Sequence, residues 1–312
     1  LTLTYYKNIN NPWSILPMND LLTNKINKIK EEYKNNKYVF IPQKIVIDLI
    51  KQLGATEKDI DTLIEYGDYL AQDPTLSFRH SRTGRYLFDN EAKTISRLEY
   101  QPFVLTEEDG FIREDSGAQR HFRAIDDRWQ SNTAYQALLK LKMLLIEGNR
   151  FTPRRLTDQQ SPKSISTVFH LRLIAEPNSL SELSIEGVHK DGVDHTMIVM
   201  MNKNNVKNNS GALRVHSHQE AIGTPWQDIN PNNVLYEHNN AQYLDILLIA
   251  DNELNHSGTP IFTHDNHHFA YQDFIVLLSR YPTVDTHPSH QFDSTQLHPD
   301  LPLTLHLNKQ VA

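Results

Sequence analysis

The stretch Glu186-Gly187-Val188-His189-Lys190-Asp191-Gly192-Val193-Asp194-His195 sets an imidazole and a carboxylate two residues apart between glycines. In an extended chain residues i and i+2 point the same way, so His189 and Asp191 can grip one ion while Lys190 points aside. A second imidazole, His256, lies in Asp251-Asn252-Glu253-Leu254-Asn255-His256-Ser257-Gly258-Thr259-Pro260-Ile261 and must arrive from another strand. Two imidazoles and one carboxylate on one face form the donor set of non-haem Fe(II) sites, which keeps coordination positions open for a co-substrate and O₂. Other histidines compete. His216 and His218 share one face of an expected strand and offer alternative ligands, whereas neighbouring His267 and His268 would point opposite ways. His195 is expected to line the pocket or make a hydrogen bond.

The elements around these residues change character along the chain. Leu22, Ile26, Ile29 and Tyr33 recur at helical spacing, as do Ile45, Val46, Leu49 and Ile50. Thr56-Glu57-Lys58-Asp59 resembles a capping box opening a third helix, and a long helix is expected over 132–147 before Gly148. Residues 166–175 alternate partly, and 196–201, 244–250 and 274–278 are apolar runs suited to strands buried on both faces. The Asn-rich 202–210 reads as a turn. Helices first and short strands later predict an α+β, mainly β fold. Its core is a double-stranded β-helix (jelly-roll, cupin-like), with N-terminal helices packed outside. We expect a single domain over 1–312: a mostly helical portion 1–150, a core with the metal site at 165–281, and a Pro/His-rich tail 282–312 that wraps the domain or is partly mobile.

Glu-Gly-x-His-x-Asp-Gly-x-Asp, then a strand, then Gly211, then His256-x-Gly-Thr-Pro-Ile resembles the bacterial 2-oxoglutarate/Fe(II)-dependent dioxygenase family that includes L-isoleucine 4-hydroxylase. Arg85-Tyr86-Leu87-Phe88, Gln101-Pro102-Phe103, Arg120-His121-Phe122 and His170-Leu171-Arg172 extend the likeness over roughly 78–280. The resemblance implies Fe(II) on His189, Asp191 and His256, with 2-oxoglutarate and O₂ consumed as a substrate is hydroxylated. It also implies a free L-amino acid, or a related small molecule, as substrate. Such a molecule needs an acid for its amine, Asp194 or Glu186, and a base for its carboxylate, Arg85, Arg120 or Arg172. One departure stands out. The family's Tyr-Arg-Asp, whose Arg pairs with the distal carboxylate of 2-oxoglutarate, reads Tyr271-Gln272-Asp273 here. Gln272 carries no charge, and an unpaired buried carboxylate is costly. The expected compensator is Arg214, on the strand after the His-x-Asp segment, with Arg172 as second choice.

Composition narrows the classes. A net charge of −7 without a basic run argues against general nucleic-acid binding. The cluster Arg150-Phe151-Thr152-Pro153-Arg154-Arg155 reads as a solvated loop. With no cysteine, thiolate ligands and nucleophiles are excluded, which suits a reducing, cytoplasmic setting. No signal-peptide pattern and no membrane-length apolar run is present, so no membrane partner is expected. Three functional readings remain: the hydroxylase, a metal-binding jelly roll that has lost 2-oxoglutarate turnover, and a cupin-type metalloenzyme using His216 or His218.

Overall fold

A computed structural model describes residues 20–111, 115–177 and 186–307. Along the chain run α1 (Asp20–Asn36), β1 (Tyr38–Ile41), α2 (Gln43–Gln52), α3 (Glu57–Leu63), β2 (Ala71–Gln72), β3 (Arg79–Asp89) and β4 (Thr94–Arg97). Then come α4 (Asp127–Gln130), α5 (Thr133–Ile146), β5 (Lys163–Ala175), β6 (His195–Asn204), β7 (Leu213–His216) and β8 (Val234–His238). β9 (Ile246–Ala250), β10 (Asn255–Gly258), β11 (Ala270–Arg280) and β12 (Thr304–His306) complete the order. The large sheet runs β1-β9-β6-β11-β5-β3-β4-β12, with β2 beside β3, and a smaller sheet runs β10-β7-β8. Strand pairing is antiparallel throughout both, the jelly-roll arrangement the sequence predicts.

The continuous apolar runs are explained by what each face of the large sheet meets. Met197, Val199 and Met201 of β6, with Ile275 and Leu277 of β11, face the helices and pack with Leu22, Ile26, Leu49, Leu138 and Leu145. Burying each such side chain contributes about 1.5–3 kcal/mol. The alternate residues, Ile198 and Met200 of β6 and Phe274 of β11, face the small sheet. α5 is held at its start by Asn132, which accepts from the Tyr135 amide at 2.9 Å. It is buried almost all round. Its Lys142 Nζ donates to the carbonyls of His195 (2.9 Å) and Leu277 (3.3 Å), and burial pushes that amine well below its ordinary pKa.

The first 150 residues, expected to be mostly helical, also carry β1–β4, and β3 pairs with β5 along its whole length. The inward side chains of β3 include Ser81, Thr83 and Arg85, so no apolar alternation marks the strand. The tail also contributes a strand: β12 pairs with β4 and closes that edge.

Candidate active site and metal centre

His189, Asp191 and His256 offer ligand atoms that all lie within 4.8 Å of one another. His256 Nε2 is 3.3 Å from Asp191 Oδ2, and His189 Nε2 is 3.8 Å from Asp191 Oδ1. The two histidines are cross-strand neighbours: His189 N donates to the His256 carbonyl at 2.9 Å, and His256 N returns the bond at 3.0 Å. Their rings are 4.3 Å apart. His189 Nδ1 meets the Gly187 carbonyl at 2.9 Å, which turns Nε2 inward. Only glycine suits position 187: its φ is +70°, and a Cβ there would sit 2.2 Å from the Thr224 carbonyl oxygen.

The carboxylate of this trio is itself held by neighbours. Thr196 Oγ1 donates to Asp191 Oδ2 at 2.7 Å. The Asp191 amide donates to Asp251 Oδ1 at 2.9 Å. Burial pushes the Asp191 carboxyl up, but the neighbouring His256 and His189 outweigh it and hold the pKa below its ordinary value. Burial disfavours charge on His256, but Asp191 beside it raises its pKa overall. A negative carboxylate between two imidazoles fits a divalent cation, which would take the place of the proton that His256 otherwise shares with it. Among the described residues, no other group of His, Asp or Glu converges in this way.

Above this floor opens a cavity of about 800 Å³. Part of its wall is aromatic: Phe169 meets Phe103 and Phe122 edge-on, with centroids 4.9 and 5.1 Å away. Leu171, Val276 and Leu278 continue it. Two arginines reach the lining, Arg120 and Arg79, together with Glu186, Asp115 and Lys190. Arg120 stacks on Phe103 (5.2 Å) and Phe111 (4.8 Å). Arg79 donates through Nε to Asp73 at 2.7 Å.

The predicted site residues divide by strand parity. His189, Asp191, His256, Glu186 and Arg120 meet at the cavity. Arg172 does not. Phe169, Leu171 and Leu173 of β5 face the cavity, so Arg172 faces away. There it pairs with both oxygens of Asp273 (2.7 and 2.8 Å) and stacks on Tyr271. Arg214 likewise alternates with the cavity-facing Leu213, and it pairs with Glu237 across β7 and β8 at 2.6 Å. Neither arginine, expected to anchor the co-substrate, lines the cavity. Gln272 is buried behind the cavity lining, beside the lining residues Leu173 and Phe274, with Nε2 3.3 Å from the Gly211 carbonyl and Oε1 lacking a hydrogen-bond partner. Gly211 has φ +66°, and a Cβ there would fall 2.1 Å from that Oε1, so this glycine makes room for Gln272.

The other substrate candidates are structural. Asp194 accepts from the Tyr281 amide at 2.9 Å and lies outside the cavity lining, and burial raises its carboxyl pKa. Arg85 is buried 3.6 Å from Asp293 and lines a separate small void of about 30 Å³. His195 bonds Tyr33 Oη at 2.7 Å and His216 bonds Ser257 Oγ at 2.8 Å, and neither belongs to the converging donor group of His189, Asp191 and His256. Sequence reasoning missed Thr196, Arg79, Asp251 and Arg154. Only Asp251 carried a signal, its place five residues before His256 in the same motif.

Residues 65–278 match the family described as 2OG-Fe dioxygenase. The bifunctional enzyme flvA of Aspergillus flavus is 34% identical over 280 residues, 90% of this chain, which spans only 34% of that relative's length. The solved structure of the selenomethionine-labelled Fe(II)/(alpha)ketoglutarate-dependent dioxygenase TqaL is 32% identical, with a TM-score of 0.79, and covers 93% of this chain and 98% of its own. A bsmA homolog from Methylobium petroleophilum PM1 shares the fold at a TM-score of 0.66 and 17% identity, covering 84% of this chain and 95% of its own. No helix among the described residues is long and apolar enough to cross a membrane.

Proposed function

Because the chain belongs to the 2OG-Fe dioxygenase family, we propose that it hydroxylates a free amino acid or a related small molecule, with Fe(II) held by His189, Asp191 and His256. Fe(II), 2-oxoglutarate and O₂ are the reactants of this family. When bound, the metal supplies O₂ activation coupled to decarboxylation of 2-oxoglutarate. The chain's own residues position and shield. His189 is oriented by the Gly187 carbonyl, Asp191 by Thr196, and the phenylalanine wall keeps water from the reacting carbon. The observation that carries the reading is the convergence of these three donors under an 800 Å³ cavity, room for a co-substrate and a small substrate together.

Two cations serve two carboxylates. Arg79 pairs across β3 and β5 with Leu173, which pairs with Gln272 on β11, so Arg79 and Gln272 belong to one inward-facing row. The distal carboxylate of 2-oxoglutarate is assigned to that row, with Gln272 as donor and Arg79 as the charge. Arg120 belongs with Phe169, four residues along β5 and about 13 Å away. It is assigned to the substrate carboxylate, with Glu186 facing the amine. A zwitterion with an apolar side chain would suit this mixture of charge and phenyl rings.

The uncharged Gln272 supports a second reading, a metal-binding jelly roll without turnover. Succinate release, measured with Fe(II), 2-oxoglutarate, O₂ and a panel of amino acids, separates the two. Substrate-dependent succinate that disappears in Asp191→Ala is the expected result. Intact Fe(II) binding with no succinate for any substrate would sink the hydroxylase and leave the binding module.

A further inference from the structure

We infer that Asp251 and Arg154 form a positioning clamp that holds the His-x-Asp loop and the His256 strand at metal-binding separation, an inference that rests on the ligand assignment above. Asp251, immediately after β9, is wholly buried, and Arg154 is nearly so. Asp251 Oδ1 accepts the Asp191 amide at 2.9 Å and lies 3.6 Å from His256 Nδ1. Its Oδ2 accepts Arg154 Nη2 at 2.7 Å and the Val193 amide at 3.2 Å. One carboxylate thus touches the backbone of one ligand and faces the ring of another. Arg154 closes the circuit. Its Nε donates to the Val193 carbonyl at 2.5 Å, and its Nη1 donates to the Asp109 carbonyl at 2.9 Å. Asp109 sits beside Gly110 and Phe111 in the loop that walls the cavity.

The segment carrying Arg154 is itself pinned, not the solvated loop expected from its basic composition. The Thr152 amide donates to Glu253 at 2.6 Å, and Asn252 Nδ2 donates to the Thr152 carbonyl at 2.8 Å. Both partners lie in the β9–β10 turn that delivers His256. The His256 Nδ1 atom is buried and has no hydrogen-bond partner, since 3.6 Å to Asp251 is too long for one. Metal-bound imidazoles regularly donate their second nitrogen to a carboxylate, and Asp251 is the carboxylate in place to accept it. A buried Arg–Asp pair gains little stability over apolar packing of the same volume, because both charges must be desolvated. Its contacts instead fix the relative placement of three separate segments.

Co(II) binding by the apo protein tests this, read by calorimetry and by the visible d–d absorption of the bound ion, with thermal midpoints measured alongside. Asp251→Asn should weaken Co(II) about tenfold or more and alter the spectrum. Arg154→Met should do so to a smaller degree, and Arg154→Lys should recover part of the loss. If Asp251→Asn does not fold, the Met and Lys variants of Arg154 carry the comparison. A tight wild type with Asp251→Asn and Arg154→Met both within twofold and spectrally unchanged would overturn the clamp, whatever happens to the thermal midpoint. A wild type that binds Co(II) no better than His256→Ala would overturn the ligand assignment beneath it.

Discussion

The two ends of the cavity are built on the same sheets but to different standards. At the metal end His189 and Asp191 are each fixed twice. His189 is held by its backbone pairing with His256 and by the Gly187 carbonyl, Asp191 by Thr196 and Asp251. At the Gln272 end a single neutral amide lies against Gly211, its oxygen unpartnered, and the nearest charge in its row is an arginine already paired with Asp73. Over-determination at one end and slack at the other imply different tolerances. The metal site should fail abruptly when one donor is lost. If Arg79 supplies its charge as proposed, the co-substrate site should respond in graded fashion, because that side chain is partly exposed and two strands away.

The sharpest break of that contrast is removal of a ligand. Asp191→Ala leaves two imidazoles with no anion between them and should abolish Fe(II) binding and lower turnover by about 10³-fold or more, since among the described residues no second group of His, Asp or Glu converges to hold the ion. Calorimetric metal titration and succinate release both read this, and residual turnover within tenfold of wild type would remove Asp191 from the metal. Next in size is Arg79→Met. It should raise the 2-oxoglutarate requirement at least about tenfold while Fe(II) affinity holds, because the distal carboxylate then has only neutral donors. An unchanged requirement would take Arg79 out of the co-substrate site.

Gly187→Ala probes the metal end by strain. A Cβ at this left-handed position meets the Thr224 carbonyl at 2.2 Å, so the turn must shift and carry His189 with it. The expected cost is about 1–3 kcal/mol in denaturant unfolding together with weaker metal binding. Stability equal to wild type would show that the turn relaxes freely.

What was legible in the sequence follows from period and parity. His189, Asp191 and His256 were readable because a two-residue spacing in extended chain fixes a shared side, and glycines marked the turns. Arg214 and Arg172 were misplaced because the side a strand residue faces flips with each position. Sequence alone did not reveal that Leu213 and Leu171, one residue before each, face the cavity. β3 was missed because Ser81, Thr83 and Arg85 replace apolar residues on its inward side, and the carbonyls that Arg85 donates to, those of Glu99 and Ser294, lie far along the chain where local composition does not encode them. Arg154 looked like surface because its partners Asp251, Val193 and Asp109 all lie 39 or more residues away.

A milder contrast opposes the helix-facing and cavity-facing sides of β5. His170 is fully buried against Tyr66 (4.5 Å) and Tyr135 (5.3 Å), and burial holds its pKa down to about 3. The ordinary value of about 6.5 returns on unfolding. Between those values the unfolded chain binds the extra proton, so this group contributes stability above pH 6.5 that is lost as pH falls toward 3. Its share of the slope is at most about 1.4 kcal/mol per pH unit. His170→Phe should therefore flatten the dependence of thermal midpoint on pH between 6 and 4, leaving metal affinity unchanged because the ring lies on the far side of the sheet. An equally steep profile would assign the acid sensitivity to other groups.

The smallest expected effect is at Arg214, the residue first expected to replace the missing co-substrate cation. Its Nε donates to Glu237 at 2.6 Å on the adjacent strand, and its Nη1 reaches the Trp226 carbonyl at 3.4 Å. Leu213 on the opposite parity lines the cavity. An ion pair this accessible is worth about 0–1 kcal/mol, because water screens it and two side chains must be ordered to make it. Arg214→Ala should shift the thermal midpoint only slightly and leave the 2-oxoglutarate requirement within about twofold of wild type, in contrast to the loss expected for Arg79→Met. The pair of variants measured side by side decides which arginine carries the charge. A tenfold rise for Arg214→Ala with none for Arg79→Met would reverse the assignment and require β7 to turn its other side toward the co-substrate.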